Sequence, residues 1–433
     1  MTDTKLGQPK CESPLELKAR DLLVKGRLMN SGDEYSQQAF ESLSKAIKLN
    51  PHLIEAWLEL TNCYQKKADI DGAIACLENA LRYCDPEKPN KVILRKLSTC
   101  IRQQDCGSQE TKLAALLRSL ELSKQALKSD LHDEHNYYNL AKAYMCLFFV
   151  SECVDHQLIN LSRAAYMKAL TLSSSNIQEN GISKRKQDSE DLDECELKPF
   201  IEQSDFLFNY STVLVYVQEF QKALEYLRIA IALDPGWSEP RVLEESLVDY
   251  LQQINSMMLD MGRNNKKLVR RYGKLVESLK SVEKIVAIIQ IDQCRLQKAT
   301  GISIESLTLD QLDSRESSAP SCAKGNSVSL LHLKLINSIN YNQAMYLTFI
   351  AIDSNYSVTV VTIYNLAISR CPTPKDVVTI VEPKIETVSV SEKNLEISYK
   401  RINVREFKDF YVNGYRVSTD QVSKPQFRIS VLP

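Results

Sequence analysis

His132-Asp133-Glu134-His135 is where this 433-residue sequence comes nearest to a metal site, because histidines three apart on a helix can share one ion. The same four residues open a stretch with helical spacing, where Asp133 and Glu134 favour the positive end of the helix dipole. That second reading is preferred, and no metal or cofactor is assigned. The twelve glycines are nowhere closer than six residues apart, which excludes the GxGxxG, GxSxG and GxxxxGK loops of nucleotide and acyl-transfer enzymes. The twelve cysteines form no CxxC pair and read as reduced thiols of a cytosolic or nuclear protein. No catalytic residue is assigned, and a non-enzymatic recognition protein is expected. No apolar leader opens the chain and no run reaches the roughly 20 apolar residues that span a bilayer, so no membrane partner is expected.

Two local charge features remain in a chain whose 54 basic and 55 acidic residues nearly cancel. From Gly262 to Val276, Arg263, Lys266, Lys267, Arg270, Arg271 and Lys274 occur without one acid. Arg263, Lys267, Arg270 and Lys274 are spaced to share one helical face opposite Leu268, Tyr272 and Leu275, which describes a phosphate-binding stripe or an ordinary solvated face equally well. The stretch "YKRINVREFKDFYVNGYRV" interleaves Lys400, Arg401, Arg405, Lys408 and Arg416 with Tyr399, Phe407 and Tyr411, the mixture single-strand binders use for phosphates and base stacking. Alternating strand faces produce the same mixture in any small β-domain.

The elements that carry these residues follow from periodicity. Ala39, Leu43 and Ala46 recur as Ala73, Leu77 and Ala80, each 34 residues on, which is the tetratricopeptide period. Large residues such as Trp57, Leu60 and Tyr64 line a first helix, and small ones on the second let paired helices approach closely. Tyr137, Leu140, Ala141 and Tyr144, then Tyr166 and Ala169, then Ala223, Leu227, Ala230 and Pro235 continue the array, with a degenerate unit around Lys96 to Leu127. The polar stretch from Ser174 to Lys198 reads as a mobile insert. From Leu268 to Ile289 apolar steps of four and three describe a coiled coil or, as preferred here, a basic helix capping the last repeat. Beyond Val328 the pattern turns to period two, and Asn413-Gly414 signals a two-residue hairpin. The expected fold is a mainly α tetratricopeptide-repeat superhelix (an α-solenoid) followed by a small all-β OB-fold-like barrel, with a seven-strand sandwich as the rival for the second part. The expected boundaries are a flexible N-terminus at 1–13, the solenoid at 14–260 with its insert at 174–198, a basic capping helix at 261–299, a linker at 300–326, the barrel at 327–420 and a tail at 421–433.

These parts in this order, with "EAWLELTNCYQKKADIDGA", "LSTCIRQQ", "SDLHDEHNYYNLAKAY", "ALDPGWSEPR", "IYNLAISR" and "VTIVEP", resemble the tetratricopeptide repeat protein five family, also called Strap, from about Tyr35 to Val417. The resemblance implies tubulin autoregulation: a factor that grips the N-terminal Met-Arg-Glu-(Ile or Cys) of nascent α- and β-tubulin at the ribosome and marks the messenger RNA for decay. It also implies an adaptor that recruits the cytoplasmic deadenylase complex. A nuclear role as stress-response cofactor of an acetyltransferase coactivator, with the barrel on DNA, is the alternative. Carried over by matching residue, the peptide groove would use Arg102 for the peptide glutamate, with Asp205 and Glu239 for the peptide arginine and terminal amine. Reversal of Arg102 to aspartate is expected to abolish peptide binding without changing melting. Ribosomal RNA contacts would fall on Arg263, Lys266, Lys267, Arg270 and Arg271.

Overall fold

The computed structural model describes residues 13–151, 155–185, 200–262, 269–277, 279, 303–317, 327–339, 346–366, 371–392, 395–405 and 410–417. The described residues up to Asn209 form one compact unit, and those from Tyr210 onward form a second.

The first unit is built from helices α1 (Pro14–Met29), α2 (Gln37–Leu49), α3 (Ile54–Lys66), α4 (Ile70–Arg82), α5 (Lys91–Gln103), α6 (Gln109–Ser129), α7 (Glu134–Val150) and α8 (His156–Arg185), with the start of α9 (Ser204–Val217). Polar N-caps set where several begin: Ser13, with a full capping box to Glu16, then Ser36, Asp69, Asn90, Ser108 and Asp133 each accept from a backbone N–H of the first turn. The helices pack as successive pairs, α1 with α2 through α7 with α8, and each pair packs on the next. The small residues that revealed the repeat pack as expected: Ala39, Leu43, Ala46, Ala73, Leu77 and Ala80 are all fully buried in one continuous core. Gly26 shows how close the approach is, since a Cβ there would lie 2.6 Å from Cγ of Leu43. The stretch around Phe148, too long for a repeat turn, is the last part of α7, with Phe148 and Phe149 buried.

The second unit holds the remainder of α9, α10 (Phe220–Leu233), α11 (Ser238–Gly262), a helical segment at residues 269–277 and nine strands in one sheet. The strands are β1 (Ser303–Leu307), β2 (Ser327–Ile339), β3 (Tyr346–Ile352), β4 (Val358–Tyr364), β5 (Val377–Val381), β6 (Ile385–Glu392), β7 (Leu395–Val404), β8 (Phe410–Val412) and β9 (Tyr415–Arg416). Their order is β6-β7-β4-β3-β2-β5-β8-β9, with β1 beside β2. The long β2 changes neighbours along its length: Ser327–Leu331 pairs in parallel with β1, residues 330–334 pair with β5, and residues 334–339 pair with β3 past an irregularity at Leu335/Asn337. Leu331, Leu333 and Leu335 point to one face and meet Phe349, Val361 and Val378 in the core, as period-two alternation requires. At the tip of β8 and β9, Asn413 (φ 49°) and Gly414 (φ 85°) form the expected two-residue turn, which demands positive φ at both positions.

Three expectations change. The insert expected from Ser174 begins as helix, because α8 runs on to Arg185; its remainder, to Lys198, lies outside the described residues. The linker expected at 300–326 contains strand β1 and the helix Leu309–Ser317, whose Leu307, Leu309 and Leu312 are core residues. A leucine every two or three residues is enough to recruit a short polar stretch once a sheet edge is offered. The single solenoid expected to Asp260 is divided within α9 between the two units. Of the basic capping helix, residues 269–277 are helical as expected, with Tyr272 and Val276 inside and Arg270, Arg271 and Lys274 exposed, while Arg263, Lys266 and Lys267 lie outside the described residues.

Candidate functional site

Arg102 lies on the last turn of α5 and is 2% exposed. Its guanidinium is the hub of a buried polar network linking α5, α6 and α7: Nη1 donates to Ser98 Oγ at 2.7 Å and Ser119 Oγ at 3.0 Å, and Nη2 donates to Thr99 Oγ1 at 2.9 Å and Asn139 Oδ1 at 2.8 Å. Asn139 in turn donates to Ser123 Oγ at 2.9 Å. Every acceptor is neutral, and among the described residues Arg102 has no carboxylate partner. Burial pushes its pKa down from the ordinary arginine value. A cation out of water with only hydroxyl and amide acceptors leaves its charge uncompensated, which is an unusual and costly arrangement.

Asp205, in the first turn of α9, is half-buried. Its Oδ2 accepts a 2.6 Å hydrogen bond from the phenol of Tyr138, and among the described residues it has no cationic partner. Tyr138 and Asn139 are successive residues of α7, so one helix holds both Arg102 and Asp205 through neighbouring side chains. The structure thus brings two of the three expected groove residues to a common element. Glu239 belongs to the second unit, where it is exposed in the first turn of α11 and accepts from Ser238 Oγ at 3.1 Å.

The other candidates separate cleanly. Asp133 caps α7, accepting from His135 N at 2.9 Å, and is paired with Arg95 at 2.7 Å and Lys91 at 2.8 Å. Burial would raise its carboxyl, but the charges of Arg95 and Lys91 prevail and hold it at about 2. Asp133 is therefore a cap and ion-pair partner, and among the described residues no cluster could hold a metal. Burial pushes the Cys63 thiol to about 11 and the Cys76 thiol to about 12, so both are unreactive core residues. In the barrel stretch, Tyr399 and Tyr411 are buried, and Arg401 is tied to Glu386 at 2.8 Å and to Gln218 Oε1. Lys400 pairs with Asp313 at 2.6 Å, and the guanidinium of Arg405 lies 5.5 Å from the ring of Tyr364. Tyr399 and Tyr411 pack inward and Lys400, Arg401 and Arg405 are engaged, while Tyr415 and Arg416 are exposed; Phe407 and Lys408 lie outside the described residues. Arg271 makes a loose 3.8 Å pair with Asp260, both side chains well exposed, and its guanidinium lies 5.4 Å from the ring centre of Tyr272.

The sequence reading missed Tyr138, Asn139 and the serines of the network. The available signal was polarity in the wrong place: Ser98, Ser119 and Ser123 stand among apolar residues on helix faces that should be core. What they accept from cannot be read along the chain, because the partners come from different helices.

Residues 323–426 match the family model described as the Tetratricopeptide repeat protein 5 OB fold domain. The chain is similar to Tetratricopeptide repeat protein 5 of Homo sapiens, 27% identical over 401 residues covering 92% of this chain and 80% of that protein. It is likewise similar to the Mus musculus protein of the same name, 28% identical over 421 residues covering 95% of this chain and 85% of that one. A thermophilic TPR protein of Thermus thermophilus aligns with a TM-score of 0.37 at 15% identity, over 53% of this chain and 98% of its own, and at that distance says nothing of function. Among the described residues no helix is long and apolar enough to cross a membrane. With helical repeats, a matched OB fold domain and relatives aligned along nearly all of its length, the chain is similar throughout to Tetratricopeptide repeat protein 5 of mammals.

Proposed function

We propose that the chain recognises the N-terminal Met-Arg-Glu-(Ile or Cys) of nascent α- and β-tubulin on the ribosome and triggers decay of the message, through an adaptor that recruits the cytoplasmic deadenylase complex. The observation that supports this reading is the pairing on α7: among the described residues, a buried cation without a carboxylate and a carboxylate without a cation, held by Asn139 and Tyr138. Two uncompensated charges of opposite sign suit a ligand that presents arginine and glutamate side by side. A peptide carboxylate would exchange with the neutral acceptors on Arg102, and a peptide guanidinium would meet Asp205. Neutral acceptors are easily exchanged for an anion, since a charge-assisted bond is roughly twice as strong as a neutral one. Glu239 joins the proposal through the family resemblance. The nuclear alternative, with the barrel on nucleic acid, gains no support from Tyr399 and Tyr411, which are buried.

The test is a titration of the full chain with Met-Arg-Glu-Ile and with the order-swapped Met-Glu-Arg-Ile, each labelled at its C-terminal end. Preference for the first peptide by about tenfold or more is expected, and equal affinity would remove the reading.

A further inference from the structure

The phenol that holds Asp205 carries no charge of its own. Tyr138 sits in an aromatic box: its ring centroid lies 5.3 Å from Phe200, 5.0 Å from Phe206 and 5.9 Å from Tyr166. The ammonium of Lys142 lies 5.0 Å from the ring centre. Phe200 and Phe206 are themselves stacked, centroids 4.5 Å apart, so the box is packed on its own account and the ring of Tyr138 has one place to go. From there its hydroxyl reaches Asp205 Oδ2 at 2.6 Å, a short bond of the charge-assisted kind.

We propose that Tyr138 is a positioning residue that presents the carboxylate of Asp205 to a cationic side chain of the bound peptide, and so sets preference for arginine at the second peptide position. This rests on the peptide reading above. A neutral donor is the right chemistry for the task. A lysine or arginine in its place would cancel the charge that the ligand must meet, whereas a phenol fixes the carboxylate plane and leaves the charge intact. Tyr138 stays a phenol because burial and the Asp205 charge both push its pKa well up, so it can only donate to the carboxylate. Among the described residues nothing bonds Oδ1 of Asp205, which leaves that oxygen for the ligand. Because Asn139 follows directly on the same helix and holds Arg102, the carboxylate and the guanidinium are both referred to one rigid element. A preorganised pair loses less entropy when a ligand closes on it than two free side chains would.

The experiment measures anisotropy of two C-terminally labelled peptides, Met-Arg-Glu-Ile and the isosteric neutral Met-citrulline-Glu-Ile, on the full chain and on Tyr138→Phe, Asp205→Asn and the double variant. Tyr138→Phe keeps the ring and its box, so only the hydroxyl is lost. Its affinity for the arginine peptide should fall about tenfold, while affinity for the citrulline peptide changes less than about twofold. In the Asp205→Asn background the cost of removing the hydroxyl should vanish. Equal losses for the two peptides, a cost that persists without the carboxylate, or an unchanged or higher arginine affinity would each overturn the proposal. If the wild-type chain does not distinguish arginine from citrulline, it is the peptide reading of Asp205 that fails.

Discussion

At Arg102 the structure changes what a substitution can be asked to show. A solvent-facing groove arginine would accept reversal to aspartate without loss of stability, as the sequence led us to expect. The observed side chain is 2% exposed and bonded to four oxygens, so an aspartate there would bury an anion among groups that now act as acceptors and would open a void. We expect Arg102→Asp to lower the melting temperature sharply, at a cost of several kcal/mol. Arg102→Met, which fills the same space, should cost only about 1–2 kcal/mol, since Ser98, Ser119 and Ser123 already bond one another. Thermal melts of the two variants check this, and Arg102→Met is the fair variant for peptide binding. Asp133 makes a second residue-scale prediction. Its folded pKa, about 2, is depressed below the ordinary 3.8, so the stabilisation it supplies is present above the unfolded value and is lost as pH falls from about 4 towards 2. Asp133→Asn keeps a good N-cap but removes the charge, so its melting temperature should be lower at about pH 7 and should fall less between about pH 4 and 2 than that of the wild type. Parallel pH dependence would mean the ion pairs with Lys91 and Arg95 contribute nothing.

At the scale of elements, the pairing of α1 with α2 depends on a missing side chain. Alanine at Gly26 would gain about 1 kcal/mol of helix propensity. The added methyl would also meet Leu43 Cγ at 2.6 Å and Cδ2 at 2.7 Å, and Leu43 is fully buried with no room to retreat. Overpacking of that kind costs about 1–3 kcal/mol, so steric cost should win and Gly26→Ala should destabilise the first unit. Denaturant unfolding followed by helical circular dichroism decides it; a stabilised variant would show that α1 can shift outward without penalty. The same packing reason explains why small residues recur on the second helices.

For the whole molecule, the proposed reading of a nascent peptide requires a surface that brings the protein to the ribosome. The exposed cations Arg270 and Arg271, with Arg263, Lys266 and Lys267, are our candidates for ribosomal RNA. If they bind phosphates, ribosome association should weaken steeply with salt, and the slope should flatten as charges are removed. Lys266→Glu with Lys267→Glu should release the chain from pelleted ribosomes while leaving peptide affinity unchanged. A solvated face with no RNA role would tolerate both reversals, because exposed charges contribute little by themselves.

Much of this architecture is local information and was legible in the sequence. The 34-residue recurrence of Ala39, Leu43 and Ala46, the capping residues and the Asn413-Gly414 turn each depend on neighbours within a turn or a repeat, so their physics is written in order along the chain. The turn that follows β8 needs two residues that tolerate positive φ, and no distant contact alters that requirement. Partner choice is another matter. Tyr138 meets Asp205 across 67 residues, Arg102 meets Asn139 across 37, and β1 joins β2 in parallel from a stretch that composition marks as linker. Spacing assigned Arg102 to a helix, but whether its charge faced water, a carboxylate or a ring of hydroxyls depended on which helices stacked beside it. Tertiary packing alone decided that, because burial and pairing are properties of surfaces brought together and not of any one segment.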